Sequence, residues 1–118
     1  MKTFLAVFTG SPDGEAMCAW AALDEAQRQA RMQEGIAAWQ AWMGRHADRI
    51  EHAGGPLGRT KRIDGAGVAD TRNALCGFVV LRAESHEEAA ALFVGHPHFA
   101  MMPGEGVEVM ECLPTPGR

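Results

Sequence analysis

The chain has 118 residues, of which 47% are hydrophobic and 22% charged, and this composition predicts one compact domain spanning residues 1–118 rather than a disordered segment. A formal net charge of −4 gives no general attraction to nucleic acids or to anionic membrane surfaces, so we expect neither as a partner. The three cysteines, Cys18, Cys76 and Cys112, follow no disulfide or zinc spacing, which favours a reducing cytoplasm. No apolar run approaches the ~20 residues that cross a bilayer, and the short run at the amino terminus is interpreted as a strand.

The first half of the chain is predicted to contain a strand, a short helix and a long helix. The segment from Phe4 to Phe8 is apolar at both odd and even positions, so a strand there needs cover on both faces. A short helix is expected over residues 17–22, and Asp24 begins a second helix with a capping residue. Apolar residues at steps of three and four then predict the main helix; they are Met32, Ile36, Trp39, Met43, Ala47 and Ile50. Gly35 inside this helix indicates either a weak point or a close packing contact.

The chain from residue 51 onward is predicted to hold five strands and one helix. The strands are expected over residues 51–57, 60–63, 68–71, 76–82 and 107–113. The double glycine and the proline of residues 51–57 indicate a bulge or an edge strand. Ser85 and Glu88 have capping-box spacing, so the helix begins near His86, and Gly95 is placed to end it before Pro97.

The order of these elements is strand, helix, strand, hairpin, strand, helix, strand. Two strand-helix-strand units with right-handed crossovers predict a ferredoxin-like α+β fold, an antiparallel sheet with its helices on one face. The other sheet face would then lack a helix, although two strands are apolar on both faces. We therefore expect a homodimer in which two such faces cover each other.

The chain also resembles a known family in a set of short motifs distributed along almost its whole length. They are Gly54-Gly55-Pro56-Leu57, Gly77-Phe78-Val79-Val80, Ser85-His86-Glu87-Glu88-Ala89, Gly95-His96-Pro97-His98-Phe99 and Val107-Glu108-Val109-Met110. In this order and spacing they resemble the YCII-related family of small bacterial proteins. The resemblance implies a dimeric α/β barrel, the architecture that the element order predicts separately.

The resemblance says less about function. Most members of the family have no assigned function, one is a dehydrochlorinase of chlorinated hydroxyquinols, and others resemble partner domains of transcription regulators. Some members are proposed to work through a histidine and aspartate pair whose histidine lies on the main helix. This sequence has Ala38 and Trp39 at about that position, and neither side chain can transfer a proton. That mechanism therefore does not carry over.

Three residues are the candidates for acid-base chemistry: His96, His98 and Glu108. Alternating histidines can point the same way and titrate near neutral pH, but a glycine before them and a proline between them favour a structural turn. In that turn, replacement of both by glutamine is expected to cost little stability. Glu108 and Glu111 lie on opposite faces of a strand expected to be largely buried, where one of them either faces a cavity or pairs with Arg82. No motif indicates a metal or a cofactor, and we expect neither.

Five further residues are candidates for ligand binding: Arg59, Arg72, Asp70, Trp39 and His46. The first three lie in or beside the hairpin, whose positive balance indicates either a small anionic ligand or a solvated surface. Trp39 belongs to the apolar stripe, which favours the core over a ligand pocket. His46 lies at the edge of that stripe, which favours a partly buried structural histidine over a catalytic one.

Two functions follow from these patterns. In the first, the protein binds a small ligand or a partner protein, without catalysis, in a cleft between the helices and the sheet. In the second, it is a small-molecule isomerase or lyase that uses the acid-base candidates in the same cleft. A closed, packed cleft would favour the first function, and an open cleft with converging polar groups the second.

Overall fold

The computed structural model describes residues 1–117. Its strands are β1 (Lys2–Thr9), β2 (Ile50–Pro56), β3 (Thr60–Asp64), β4 (Gly67–Thr71), β5 (Leu75–Ala83) and β6 (Gly106–Glu111). Its helices are α1 (Glu15–Ala21), α2 (Glu25–Arg45), α3 (His86–Ala91) and α4 (Pro97–Ala100). No helix in this range is both long and apolar enough to cross a membrane.

Four of the strands form one antiparallel sheet in the order β2-β5-β1-β6, and β3 pairs with β4 in a separate hairpin. This is the strand order of a ferredoxin-like sheet, so the predicted α+β architecture is confirmed. β2 is an edge strand, and its register against β5 shifts twice. The glycines and the proline of β2 thus indicated both a bulge and an edge correctly.

The main helix ends earlier than its apolar stripe predicted. Ala47 and Ile50 continue the helical spacing, but α2 stops at Arg45 with His46 as its C-cap. Ile50 instead opens β2, where it pairs with Leu81 of β5. The amide of Arg82, the next residue along β5, donates to the carbonyl of Arg49 at 2.7 Å, so sheet pairing takes the acceptor that a longer helix would have used.

The two predicted helix caps differ in how completely they form. Asp24 accepts from the amide of Gln27, and the Gln27 side chain accepts from the amide of Asp24, so α2 begins with a full capping box. At α3 only half of the box is present: Ser85 accepts from the amide of Glu88. The Glu88 carboxylate is bonded to Arg49 and to the amide of Glu84 instead, and its ion pair with Arg49 holds its pKa below the usual value.

One face of the sheet carries the core. In β1 the side chains of Phe4, Ala6 and Phe8 are buried, and the register places them on the same face as Val79 and Leu81 of β5. Trp42 of α2 and the two α3-side residues Ala89 and Phe93 pack against this face. We call it the helix-covered face, and it contains the largest buried side chains of the domain.

The opposite face lacks such cover. The register places Leu5, Val7, Phe78, Val80 and Met110 together on it, because each of them alternates with a core residue along its strand. Leu5, Phe78 and Val80 are half-buried, Val7 is buried, and Met110 is 41% exposed. We call it the helix-free face, and its apolar centre is the surface that the sequence assigned to a second copy of the chain.

Candidate functional site

An apolar cleft of about 320 Å³ lies between α2 and the β2-β5 side of the sheet. Its lining comprises Phe8, Ile36, Trp39, Gln40, Met43, Ala53, Gly55, Pro56, Cys76, Gly77, Phe78, Val79, His98 and Met102. Most of these are aromatic or aliphatic, and the polar members are few. Such a hollow with a small number of polar groups is the usual form of a small-molecule site.

A close contact at Gly35 brings one wall of the cleft into place. Gly35 is buried in the middle of α2, and a Cβ atom there would lie 2.6 Å from Cγ of Met102. The absent side chain therefore lets Met102 lie against the helix and line the cleft. Of the two predictions made for this glycine, close packing is the one that the structure confirms.

His98 is the histidine that reaches the cleft. It is 8% exposed, and its Nε2 lies 2.8 Å from the backbone carbonyl of Thr9. A carbonyl can only accept, so in the neutral ring Nε2 carries the proton and Nδ1 is the basic nitrogen. Its ring lies against Gly104, where a Cβ atom would overlap it. The imidazole is thus fixed in orientation by β1 and by the loop before β6.

His96 lies deeper, in an aromatic box. Its ring is 1% exposed and has centroid distances of 4.6 Å to Trp39, 4.7 Å to Trp42, 5.2 Å to Phe8 and 5.8 Å to Phe93. Its Nδ1 accepts from the amide of His98 at 3.0 Å and so caps α4. Among residues 1–117, its Nε2 is the buried side-chain atom that has no hydrogen-bond partner.

Burial decides the charge of His96. Loss of solvation, with smaller contributions from His98 and His46, lowers its pKa to about 4. The ring is therefore neutral at physiological pH, with its proton on Nε2. Its burial also changes the expectation that glutamine would replace both histidines at little cost, because a flexible amide does not fill the aromatic box.

The third acid-base candidate is on the other side of the sheet. Glu108 pairs with Val7, which places its carboxylate on the helix-free face, and it is exposed rather than buried as predicted. It does not meet His96 or His98. The alternative, a pair between Arg82 and either Glu108 or Glu111, is wrong as well: β1 separates β5 from β6, and Glu111 forms an ion pair with Lys2 at 3.8 Å.

Cys76 is a cleft residue that the sequence did not single out. Its Sγ lies 3.2 Å from the carbonyl of Phe8, and burial raises the pKa of the thiol. The thiol is thus protonated and held as a donor, not as a nucleophile. Gln40 and Met102 were missed as well, because no local pattern shows which residues of α2 and of the α4–β6 loop face each other. Only Gly35 carried a signal of that contact.

Trp39 and His46 fall into different surroundings. Trp39 lines the cleft and also contacts His96, so it belongs to both the core and the candidate site. His46 lies on the far side of Trp42, at a ring distance of 4.9 Å, in a separate hollow beside α3. Burial and the nearby Arg45 lower the pKa of His46. It shares no cleft with His98.

The hairpin candidates come together at a third place. Arg59, Asp70 and Arg72 line a hollow of about 530 Å³ at the base of the β3-β4 hairpin. Asp70 forms an ion pair with Lys61 there. Within residues 1–117 no group of three or more histidine, cysteine or acidic side chains is arranged to hold a metal ion.

Comparison with known proteins identifies the fold but not a family. No protein-family model matches the chain. No curated protein matches its sequence. Among solved structures, the chain is similar to the 5-chloro-2-hydroxyhydroquinone dehydrochlorinase of Burkholderia phenoliruptrix AC1100 in complex with 2,5-dihydroxybenzoquinone. The TM-score is 0.53 and the identity 21%, with 92% of this chain and 90% of the other covered. At that identity the likeness shows a common fold.

Proposed function

We propose that the protein binds a small, mostly apolar ring compound in the cleft between α2 and the sheet. The observation that carries this proposal is the lining of the cleft: aromatic and methionine side chains surround it, and His98 is its fixed polar group. A volume of about 320 Å³ suits a single aromatic ring better than a large cofactor. The fold likeness to an enzyme in complex with 2,5-dihydroxybenzoquinone supports the same ligand class.

Titration with 2,5-dihydroxybenzoquinone, followed by calorimetry and by quenching of tryptophan fluorescence, tests the proposal. Ala53→Leu should abolish binding, because Ala53 is an exposed residue of the cleft lining and a larger side chain there would occupy the cleft. Ala37→Leu, an exposed position of α2 outside the cleft lining, is the matched control and should bind as the wild type does. Equal affinity in both variants would refute the cleft as the binding site.

A second function, proton transfer on such a ligand, is favoured by one observation. With Nε2 of His98 bonded to Thr9, the basic Nδ1 is held in a residue that lines the cleft. In this function the protein is a lyase with His98 as the acid-base residue. Chloride release from 5-chloro-2-hydroxyhydroquinone should then be measurable and lost in His98→Gln, whereas Glu108→Gln on the opposite face should keep it. Binding without chloride release would contradict the second function and support only the first.

We also propose that the chain is a distant YCII-related protein and that it forms a homodimer through the helix-free face. The sequence motifs and the fold likeness support the first statement. The apolar centre formed by Leu5, Val7, Phe78 and Val80 supports the second, because monomers seldom leave such a surface uncovered. Two such faces packed together would form a mostly apolar interface of about 2,000 Å², in the range of permanent dimers.

A further inference from the structure

The hollow at the base of the β3-β4 hairpin is separate from the cleft and has a different chemical character. Its lining comprises Pro12, Gly58, Arg59, Thr60, Lys61, Asp70, Thr71, Arg72, Asn73 and Leu75. Three of these side chains are cationic and one is anionic, within a chain whose formal net charge is −4. The local charge is thus opposite to that of the whole protein.

The register explains how the cations meet. Thr60 and Thr71 are the outermost pair of the hairpin ladder, and Lys61 pairs with Asp70 next to them. Arg59 precedes Thr60 and Arg72 follows Thr71, so each arginine lies one residue beyond this outermost pair. Both line the same hollow. Like charges that face each other across strands are destabilising.

The carboxylates of the hairpin pair with other cations and not with Arg59 or Arg72. Asp70 is in an ion pair with Lys61, and Asp64 is in an ion pair with Arg62 at 3.1 Å. Within residues 1–117, neither Arg59 nor Arg72 has an ion pair or a side-chain hydrogen bond. Two guanidinium groups therefore border one hollow with their donors free.

Hydrogen bonds of Asn73 hold the polar wall of the hollow in place. The Asn73 side chain accepts from the amide of Leu75 at 2.9 Å and donates to the hydroxyl of Thr60 at 3.5 Å. These bonds fix the loop that carries Arg72 relative to the strand that follows Arg59. The chain segments that carry the two arginines are thus held together at the hairpin base.

We infer that this hollow binds a small oxyanion, a phosphate or carboxylate group, between Arg59 and Arg72. Guanidinium groups present planar pairs of donors that match both kinds of oxyanion, and an anion between them would be attracted by both. Asp70 opposes this binding, since it is the negative charge of the hollow. The site does not depend on the ligand proposed for the cleft.

The test uses inorganic phosphate and malonate as separate probes, with sodium chloride of equal ionic strength as the reference. Either probe should raise the melting temperature saturably, with a Kd on the order of 1 mM by calorimetry, and the better probe identifies the oxyanion. Arg59→Gln and Arg72→Gln should each weaken binding about tenfold. Arg31→Gln on α2 removes the same charge away from the hollow and should have no effect.

Asp70→Asn should change the affinity for the probes in the opposite direction. It therefore distinguishes a specific effect of charge from a general loss of binding. It removes the negative charge from the hollow and releases Lys61, so binding should become tighter than in the wild type. Stabilisation by phosphate and malonate that equals that of chloride, or that is the same in both arginine variants as in the wild type, would overturn the inference. Ala53→Leu, which blocks the cleft, should leave this binding unchanged, and this separates oxyanion binding from ligand binding in the cleft.

Discussion

The two faces of the central sheet are built from the same strands but are completed in different ways. On the helix-covered face, Phe4, Val79 and Leu81 are almost fully buried by helices of the same chain. On the helix-free face, Leu5, Phe78 and Val80 alternate with them and remain half-buried. Alternation along one strand thus separates side chains that fold the chain from side chains that are free for a partner. Adjacent residues can then be changed to test each role separately.

The largest expected effects come from placing a charge on each face of β5. Val79 is 1% exposed on the helix-covered face, so Val79→Glu would bury an unpaired carboxylate and should destabilise the domain by about 4 kcal/mol or more. Val80 lies on the helix-free face, so Val80→Glu should leave the domain folded but break the dimer. Circular dichroism during urea unfolding and light scattering measure the two outcomes.

A folded wild-type species of 12.7 kDa in dilute solution would contradict this difference between the faces, because the helix-free face would then need no partner. Val80→Thr is the uncharged control at the same position, since threonine keeps the β-branched shape of the side chain. This variant should remain dimeric. Dissociation caused by both substitutions would indicate a general loss of packing instead of a charge at an interface.

The next effect concerns the pH dependence that the helix-covered face imposes through His96. Its pKa is about 4 in the folded protein, below its ordinary value of 6.5, so the unfolded chain binds the proton more readily. The contribution of neutral His96 to the free energy of unfolding is fully present above pH 6.5. It is lost as the pH drops from 6.5 to 4, by about 3 kcal/mol in total. Urea unfolding at pH 7, 6 and 5 measures the loss.

His96→Asn is the matched variant. The asparagine side-chain oxygen can still accept from the amide of His98, but the side chain has no titratable group. It should be less stable than the wild type at pH 7 but lose less stability on acidification. His46, whose pKa is also lowered, is present in both proteins. The Arg49–Glu88 pair stabilises above pH 4.5 and is lost only at lower pH. An unchanged pH slope in the variant would contradict the assignment to His96.

Most of the fold could be predicted from local patterns, whereas the site could not. Strand alternation, turn residues and caps act over a few neighbouring positions, and they indicated the strand order and the start of α2 at Asp24 correctly. The aromatic rings that enclose His96 come from β1, α2 and the segment after α3. No local pattern distinguishes such a buried histidine from one in a surface turn. Glu108 was misplaced for the same reason, since the edge position of β6 depends on the whole sheet.

The smallest expected effect concerns the packing of α2 against Met102. Gly35→Ala forces a Cβ atom against Met102 and should lower the free energy of unfolding by about 1 kcal/mol. Gly44→Ala, in the same helix, meets nothing within 4 Å and should raise it by roughly 0.5 to 1 kcal/mol. Thermal unfolding of the two variants compares them. A gain in both would mean that Met102 moves aside without cost.

The proton on Nε2 of His96 offers a means of observing the motions of this region directly. It is enclosed by aromatic rings and has no hydrogen-bond partner, so water reaches it only when the turn at α4 opens. Ring currents should displace its nuclear magnetic resonance signal from that of a solvated imidazole. Its exchange rate with deuterated solvent would then report how often the box opens, on a timescale that no static structure records.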